Sequence, residues 1–301
     1  MMPSIKQVEA FYWSGQLGSF VAAADRLNTT QSNISKRIQE LESTLGVELF
    51  DRSKRAIKVT AKGVEVMAIS DQLLRVHMTL RQVGNSELAL AGPFRFGVTE
   101  AVALTWLARF SLDIQLAFAG LVPISTVDTS VNLNTLLLER KIDLAIGTER
   151  NLDKDLVRTR LADAERVWVA SPNLIKHERI LAAAEMGDLP MLGHGDNSAQ
   201  HNMVTQHLRE RGINLRVVTS CTSMSALARM AIDGIGITYL HKDVFAADIE
   251  AGRLKVIKTE FEIPPVTYVA AHRDDVISPV AALVAARAVA LCDFRRHVTP
   301  S

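Results

Sequence analysis

Cysteines, aromatic residues, long apolar runs and net charge are all scarce in this sequence of 301 residues. The two cysteines, Cys221 and Cys292, lie far apart without a CxxC spacing, which excludes a disulfide framework and a cysteine-based zinc site. No apolar run reaches the roughly 18 residues of a membrane-spanning helix. The first twenty residues lack the apolar core of a signal peptide. We therefore expect a soluble, cytoplasmic protein.

Aromatic residues make up only 5% of the chain and apolar residues 48%, so aliphatic side chains must dominate the cores. The formal net charge of +1 excludes a uniformly basic nucleic-acid coat and an acidic tail. The charge is nevertheless uneven, because residues 1–62 contain nine basic and six acidic residues. Five of the nine cations fall in RSKRAIKVTAK (52–62), which has no acid. The length predicts about two domains.

The first sixty residues predict a small helical module. Apolar residues at helical spacing indicate one helix before Gly18 and a second that starts after Ser19, a suitable N-cap. Thr30 suits the N-cap of a third helix from Gln31 to about Thr44, and Gly46 suits its end. Two short helices joined by a three-residue turn are typical of a helix-turn-helix, although the spacing fits an ordinary three-helix core equally well.

The polar face of the third helix suits recognition of DNA. Its amides and hydroxyls can reach base edges, while cations and N-terminal amides can hold phosphates. Residues 57–60 read as a short alternating strand, so the basic run before them would form a wing over the adjacent phosphates. The candidate DNA-binding residues are Thr30, Gln31, Ser32, Asn33, Ser35, Lys36, Arg37, Arg52, Lys54 and Arg55.

The stretch 22–63 resembles the winged helix-turn-helix of LysR-type transcriptional regulators. Ser32 stands where that family commonly has proline, which leaves the interpretation intact. The resemblance implies a protein of α/β class with an N-terminal all-α winged helix-turn-helix, a long linker helix and a C-terminal effector domain. The matching residues are Ala23, Ala24, Leu27, Thr30, Gln31, Ser35, Leu41, Glu42, Leu45, Gly46, Leu49, Phe50, Arg52, Thr60 and Gly63.

A heptad pattern follows over residues 63–86, which contain no proline. The stripe cannot be buried by one isolated helix, so it must pair with a second copy or pack in the downstream domain. The resemblance favours a dimerising linker helix over residues 63–90, with two DNA half-sites about 34 Å apart or a multiple of that. The apolar positions of the stripe are Val66, Ile69, Leu73, Val76, Leu80 and Val83.

Beyond Gly92-Pro93, short aliphatic runs alternate with helical patterns, which predicts an α/β domain over 91–301 with mainly parallel strands. Candidate helices are 101–110, 132–140, 200–211, 224–232 and 279–296. Candidate strands are 94–99, 122–128, 142–148, 167–171, 189–193, 215–221, 236–240 and 266–271.

This region is similar to the effector domain of the same family through RFGVTEA (95–101), LLLERKIDLAIGT (136–148) and ARMAIDGIGITYL (228–240). The similarity implies two α/β lobes resembling type II periplasmic binding proteins. Lobe I would comprise about 91–161 and 266–301, and lobe II about 162–265. Two residues depart from the family pattern: Arg140 replaces the usual glycine, and His241 the usual proline.

The resemblance also implies a small-molecule effector between the lobes. The hydroxyls there would suit a carboxylate or another anion. Glu100 complicates this, because a carboxylate in the pocket would favour an amine, a zwitterion or a neutral ligand. The preferred interpretation is that Glu100 complements the dipole of its own helix. The candidate effector-binding residues are Thr99, Glu100, Ser130, Thr148, Asn197 and Ser198.

Other chemistry is disfavoured by spacing. His194, His201 and His207 lie near Asp196, but the latter two histidines are six residues apart and face different sides of a helix. We expect hydrogen-bonded histidines there, and small packed side chains at the cysteines, although Cys221 near the cleft could act as a thiol sensor. The sequence contains no recognisable catalytic nucleophile, metal set or cofactor loop, so we expect no enzyme, no metal and no cofactor besides the effector.

The sequence thus predicts a ligand-responsive transcriptional regulator that binds promoter DNA as a dimer or tetramer. RNA polymerase would be a further partner if it activates transcription. Two other classes remain: a small-molecule-binding protein whose helical head serves only oligomerisation, and a metabolic enzyme that uses the cleft. The exposed polar face beside a five-cation wing favours the regulator, because a pure dimerisation helix needs neither.

Overall fold

The computed structural model describes residues 2–51, 57–84, 92–195, 204–206, 208–210, 212–213, 216–260 and 263–295. The Arg52, Lys54, Arg55, Asn197 and Ser198 predictions lie outside these residues. No helix within them has both the length and the apolar content needed to cross a bilayer.

Three capped helices form the N-terminal module: α1 (Ile5–Leu17), α2 (Phe20–Arg26) and α3 (Gln31–Leu45). The predicted N-caps are confirmed, since the hydroxyls of Ser19 and Thr30 each accept a backbone N–H from the first turn of their helix. Gly46 ends α3 in the left-handed region at φ 69°, as predicted. Helix α3 begins at Gln31 although Ser32 replaces the proline that is common in the family at this position.

A short hairpin and a long helix complete the module: β1 (Phe50–Asp51), β2 (Lys58–Val59) and α4 (Ala61–Gly84). The two strands pair antiparallel, Phe50 with Val59 and Asp51 with Lys58. Gly63 approaches this hairpin so closely that a Cβ there would lie 2.4 Å from the carbonyl oxygen of Leu49. The glycine therefore permits the contact between α4 and the wing.

The remaining chain alternates helices and strands. Its elements are β3 (Gly92–Val98), α5 (Glu100–Thr105), α6 (Leu107–Ala117), β4 (Leu121–Val127), α7 (Ser130–Leu138), β5 (Leu144–Thr148), a 3₁₀ turn (Glu149–Asn151), β6 (Val157–Ala164), β7 (Arg166–Ala170), α8 (Ala183–Asp188), β8 (Pro190–His194), β9 (Arg216–Cys221), α9 (Met224–Ile232), β10 (Thr238–His241), α10 (Ala246–Glu250), β11 (Lys255–Ile257), β12 (Val266–His272) and α11 (Ser278–Leu291). Residues 204–206 and 208–209, within the helix predicted over 200–211, are helical.

These elements build two lobes. Lobe I is a five-stranded sheet in the order β4-β3-β5-β12-β6, in which β3 runs parallel to β4 and β5. Lobe II has a three-stranded sheet, β10-β7-β11, and a parallel pair, β8-β9. The two parts of lobe II meet at a parallel bridge between Met191 and Ile237. The chain returns to lobe I through β12.

The prediction of mainly parallel strands is wrong. Strand β12 runs antiparallel to both β5 and β6, and β7 is antiparallel to both of its neighbours. Strand β6 was not predicted because this edge strand carries charged residues and lacks an apolar alternation, and β11 was missed because it has only three residues.

Two predicted helices have different bounds. The helix expected over 101–110 divides at Trp106 into α5 and α6. The helix expected over 279–296 ends at Leu291, since the backbone of Cys292 is extended.

The N-terminal module packs against lobe I. Val276, from the loop before α11, is 5% exposed and belongs to the core cluster of the helix-turn-helix. Nearby, Arg140 adopts a left-handed φ of 61°, which explains why glycine is usual at this position. Its guanidinium forms an ion pair with Asp275. The departure from glycine thus coincides with an additional polar contact at the junction.

Candidate functional site

The recognition face of α3 has the predicted distribution. Its apolar stripe is buried at Ile34, Ile38 and Leu41, whereas Leu45 at the helix end is 39% exposed. On the opposite side, Ser35 and Arg37 are half-buried. The exposed residues of this face are Thr30, Gln31, Ser32, Asn33 and Lys36. Such a row of short polar side chains and a cation at one helix N-terminus can contact both base edges and phosphates.

The wing is fixed to α3 by Glu42. Its Oε1 accepts the backbone N–H of Leu49 at 2.8 Å and that of Phe50 at 3.3 Å. Just after β2, the hydroxyl of Thr60 donates to the carbonyl oxygen of Glu48 at 2.8 Å and accepts the N–H of Gly63 at 2.9 Å. The base of the hairpin therefore keeps a fixed position relative to the recognition helix.

The linker helix α4 carries an apolar stripe that the described part of the chain leaves mostly exposed. Four of the predicted positions are exposed: Ile69 (62%), Leu73 (40%), Val76 (59%) and Leu80 (64%). Val66 differs, because it is half-buried and packs against the core of the helix-turn-helix. The side chain of Val83 lies outside the described set.

A cavity of about 400 Å³ lies between the two lobes. It opens at the carboxyl ends of β3, β4 and β5, which is where open α/β sheets bind ligands. Four of the predicted effector residues, Thr99, Glu100, Ser130 and Thr148, line it together. The other lining residues are Val127, Asp128, Thr129, Val131, Asn151, His194, Gly195, Thr222, Ser223, Met224, His241 and Tyr268.

Two hydroxyl groups of lobe I, those of Ser130 and Thr148, are hydrogen-bonded to each other. Ser130 Oγ accepts the backbone N–H of Thr148 at 3.0 Å and lies 3.2 Å from Thr148 Oγ1. Thr148 Oγ1 in turn accepts from Asn151 Nδ2 at 3.0 Å. A Cβ at Gly147 would lie 2.9 Å from Ser130 Oγ, so the glycine lets β5 approach α7. These bonds fix the side chains of Ser130 and Thr148, and the charged side chains that lobe I contributes among the described lining residues are the carboxylates of Asp128 and Glu100.

The carboxylate of Glu100 is hydrogen-bonded to another element of the chain, besides lying in the first turn of its own helix α5. Its side chain crosses to lobe II and accepts hydrogen bonds at the start of α9 from Ser223, Met224 and Ser225. The preferred interpretation, in which Glu100 complements the dipole of α5, therefore misses its main role. Its partners lie more than 120 positions downstream, so no local pattern could indicate them.

Twelve of the described lining residues were not among the predicted effector-binding residues, and three of these twelve have polar rings: His194, His241 and Tyr268. Burial raises the pKa of Tyr268 to about 12 and, with the nearby Arg166, lowers the pKa of His241 to about 3. Both side chains are thus neutral near pH 7, and Tyr268 Oη lies 3.3 Å from His241 Nε2. In the sequence, the only indication that His241 is unusual is that it replaces the proline common in the family.

The histidine and cysteine alternatives have simpler structural explanations. His194 Nε2 lies 2.8 Å from the carbonyl oxygen of Tyr239, and its ring stacks on Tyr239 with centroids 4.3 Å apart. His201, His207 and Asp196 lie outside the described residues, within which no group of three His, Cys, Asp or Glu could hold a metal. Cys221 and Cys292 are free and half-buried, and burial raises the pKa of the Cys292 thiol to about 11.

Comparison with known proteins assigns both parts of the chain. Residues 5–64 match the family of bacterial regulatory helix-turn-helix proteins of the lysR type, and residues 89–292 match the LysR substrate binding domain. The SDS degradation transcriptional activation protein of a Pseudomonas species is 29% identical over 272 residues, which cover 85% of each chain. The transcriptional regulator GltR of Bacillus subtilis is 26% identical over 260 residues, or 84% of each chain.

A solved structure of similar architecture is that of a full-length point variant of OxyR from Pseudomonas aeruginosa. It has a TM-score of 0.66 and 18% identity, covering 100% of this chain and 99% of that one. This likeness shows the shared fold. Because the two family matches together span almost the whole chain, the protein belongs to the LysR family, whose members are DNA-binding transcriptional regulators with an effector-binding domain.

Proposed function

We propose that this protein binds promoter DNA as a dimer or a dimer of dimers, with α3 in the major groove and the wing cations on the flanking phosphates. The observation that supports this best is the exposed polar row at the start of α3, held beside the wing by Glu42. Contacts to bases would come from Gln31, Ser32, Asn33 and Ser35. Contacts to phosphates would come from Thr30, Lys36, Arg37, Arg52, Lys54 and Arg55.

The chain divides in this proposal into a DNA-binding domain (1–62), a linker helix (63–90) and an effector domain (91–301). Dimerisation is supported by the exposed stripe at Ile69, Leu73, Val76 and Leu80, whose spacing of four, three and four residues fits a coiled-coil seam. A dimer places two recognition helices on one duplex and predicts two half-sites about one turn, or a multiple of one turn, apart. Val66 contributes to the fold of the head instead.

The cleft between the lobes is the proposed effector site. A ligand there contacts both lobes, so its differential affinity for two arrangements of the lobes would shift their populations and the spacing of the DNA-binding heads. Such a regulator acts where the DNA is, which we infer to be the cytoplasm. If it activates transcription, RNA polymerase is an additional partner.

The DNA interface is tested by the salt dependence of binding. Affinity of the full-length protein for a 30-base-pair duplex would be measured by fluorescence anisotropy from 50 to 200 mM salt for the wild type, Arg37→Ala and Arg52→Ala. Each variant should reduce the slope of log K against log salt by about 1, because each removes one phosphate contact. Lys141→Ala, outside α3 and the wing and paired with Glu139, is the matched control. Unchanged affinity and slope in both test variants would contradict the proposed interface.

A further inference from the structure

Glu100, in lobe I, accepts hydrogen bonds from the backbone and side chains at the start of α9 in lobe II. Its Oε2 accepts the N–H of Met224 at 2.5 Å, and its Oε1 accepts the N–H of Ser225 at 3.1 Å. The same Oε1 accepts the hydroxyls of Ser223 at 2.9 Å and Ser225 at 2.8 Å. Four donors therefore converge on one carboxylate that belongs to the chain itself.

No donor is left over in the first turn of α9. Two of its first three amides donate to Glu100, and the third, of Ala226, donates to Ser223 Oγ at 3.2 Å. The next amide, of Leu227, makes the first bond within the helix, to the carbonyl oxygen of Ser223. A helix start with these free amides would attract a ligand anion, but here every one of them has an acceptor.

The other described residues of the lobe II wall are uncharged. Among the described residues that line the cavity, none is lysine or arginine, and lobe II contributes His194, Gly195, Thr222 and His241 beside the start of α9. His241 is 4% exposed and neutral, and its Nδ1 has no hydrogen-bond partner within the described residues. The described residues of this wall can therefore exchange hydrogen bonds with an uncharged group but supply no positive charge to neutralise a ligand carboxylate.

We propose that Glu100 is a built-in carboxylate ligand of lobe II, which ties the lobes together across the cleft and restricts that wall to an uncharged, hydrogen-bonding end of the effector. A carboxylate arriving at α9 would meet occupied donors and the negative charge of Glu100. That this cleft binds the effector rests on the proposed function. The occupation of α9 by Glu100 does not, so the two can fail separately.

Chemical rescue tests this directly. Glu100→Ala in the full-length protein leaves four donors around a space of carboxylate size, so acetate or formate should bind there. The melting temperature would be measured in 100 mM sodium acetate, sodium formate and sodium chloride at pH 7. We expect the variant to melt several degrees below the wild type in chloride, and to gain about 3 °C in acetate or formate.

Three controls make the result specific. The wild type should show no anion-specific gain, because Glu100 occupies the position. Glu100→Gln should show none either, since its amide fills the same space. Glu139→Ala removes an exposed carboxylate that pairs with Lys141 and should respond equally to all three salts.

An equal response of the wild type and Glu100→Ala to acetate would overturn the proposal, as would the absence of any acetate or formate gain in Glu100→Ala. If Glu100→Ala does not fold in chloride, its soluble yield supplies the same comparison. Recovery in acetate supports the proposal, and equal failure in all salts contradicts it. DNA binding by the wild type is measured independently, so loss of this proposal leaves the proposed regulator intact.

Discussion

Arg26 and Asp143 form a buried ion pair across the junction of the DNA-binding head and lobe I. Arg26 Nη2 lies 2.7 Å from Asp143 Oδ1, and the two side chains are only 8% and 0% exposed. The second pair of atoms, Nη1 and Oδ2, lies 3.1 Å apart, so the contact is bidentate. The guanidinium also lies 4.5 Å from the ring centroid of Trp13. The orientation of the head is therefore tied to the effector domain.

The strands next to this pair lead to the cleft. Asp143 precedes β5, which ends at Thr148, and its Oδ2 accepts the backbone N–H of Arg95 in β3 at 2.9 Å. Strand β3 ends just before Thr99 and Glu100. The same sheet thus contacts the DNA-binding head through Asp143, just before β5, and lines the cleft at the carboxyl ends of β3 and β5.

Removing one partner of this pair should be costly. Asp143→Asn leaves the Arg26 charge buried without its counter-ion, so we expect the free energy of unfolding to fall by about 3 kcal/mol. Urea denaturation of the full-length protein measures this. Asp113→Asn, which breaks the more exposed pair with Arg287, should cost no more than about 1 kcal/mol. Equal losses in the two variants would show that burial of the Arg26 pair does not matter.

The linker stripe predicts the oligomeric state. Ile69→Asp places a charge at the first position of the exposed stripe, and we expect the concentration at which the dimer dissociates to rise at least about tenfold, because a charge at an apolar seam position is unpaired on association. Sedimentation velocity over a dilution series measures it. Ala68→Asp, one residue away and off the stripe, should leave association unchanged. A monomeric wild type, or a dimer insensitive to Ile69→Asp, would contradict this role of α4.

Burial of His241 predicts a dependence of stability on pH. Its pKa is lowered to about 3 in the folded protein, from an ordinary value of 6.5, by burial and by the nearby Arg166 and His194. The unfolded chain therefore binds the proton first, and stability is lost as the pH falls from about 6.5 towards 3. Relative to His241→Asn, the wild type should lose about 2 kcal/mol more between pH 7 and pH 5.

Urea denaturation at several pH values provides the measurement, and His177→Asn is the matched control because His177 is exposed. The control should keep the wild-type pH dependence. If His241→Asn also keeps it, then His241 is not the buried neutral histidine that the structure shows.

Local sequence determined much of the N-terminal module. The caps at Ser19, Thr30 and Gly46, and the division of α3 into buried and exposed faces, depend on residues within about four positions of one another. Spacing could not tell that Val66 turns towards the head while Ile69 and Leu73 stay exposed, because the tilt of α4 against the head determines which face is covered.

The cleft was predictable only in part. The rule that ligands bind at the carboxyl ends of parallel strands gives the general location, and the family resemblance supplied the individual lobe I residues, such as Thr99 and Thr148. The pairing of Glu100 with Ser223 spans 123 positions, and that of Arg26 with Asp143 spans 117. Contacts of this kind depend on how lobes and domains pack, so periodicity along one element carries no information about them.

Selection from a library of random duplexes tests most directly whether this protein reads DNA sequence with paired heads. Full-length protein, confirmed as folded and dimeric, would be carried through successive rounds of binding and sequencing. We predict enrichment of a two-fold-related motif with half-sites about one helical turn, or a multiple of one turn, apart. The enrichment should be lost with Asn33→Ala combined with Gln31→Ala. No enriched sequence, from protein that is folded and dimeric, would contradict the account and favour a small-molecule-binding protein whose head serves only assembly.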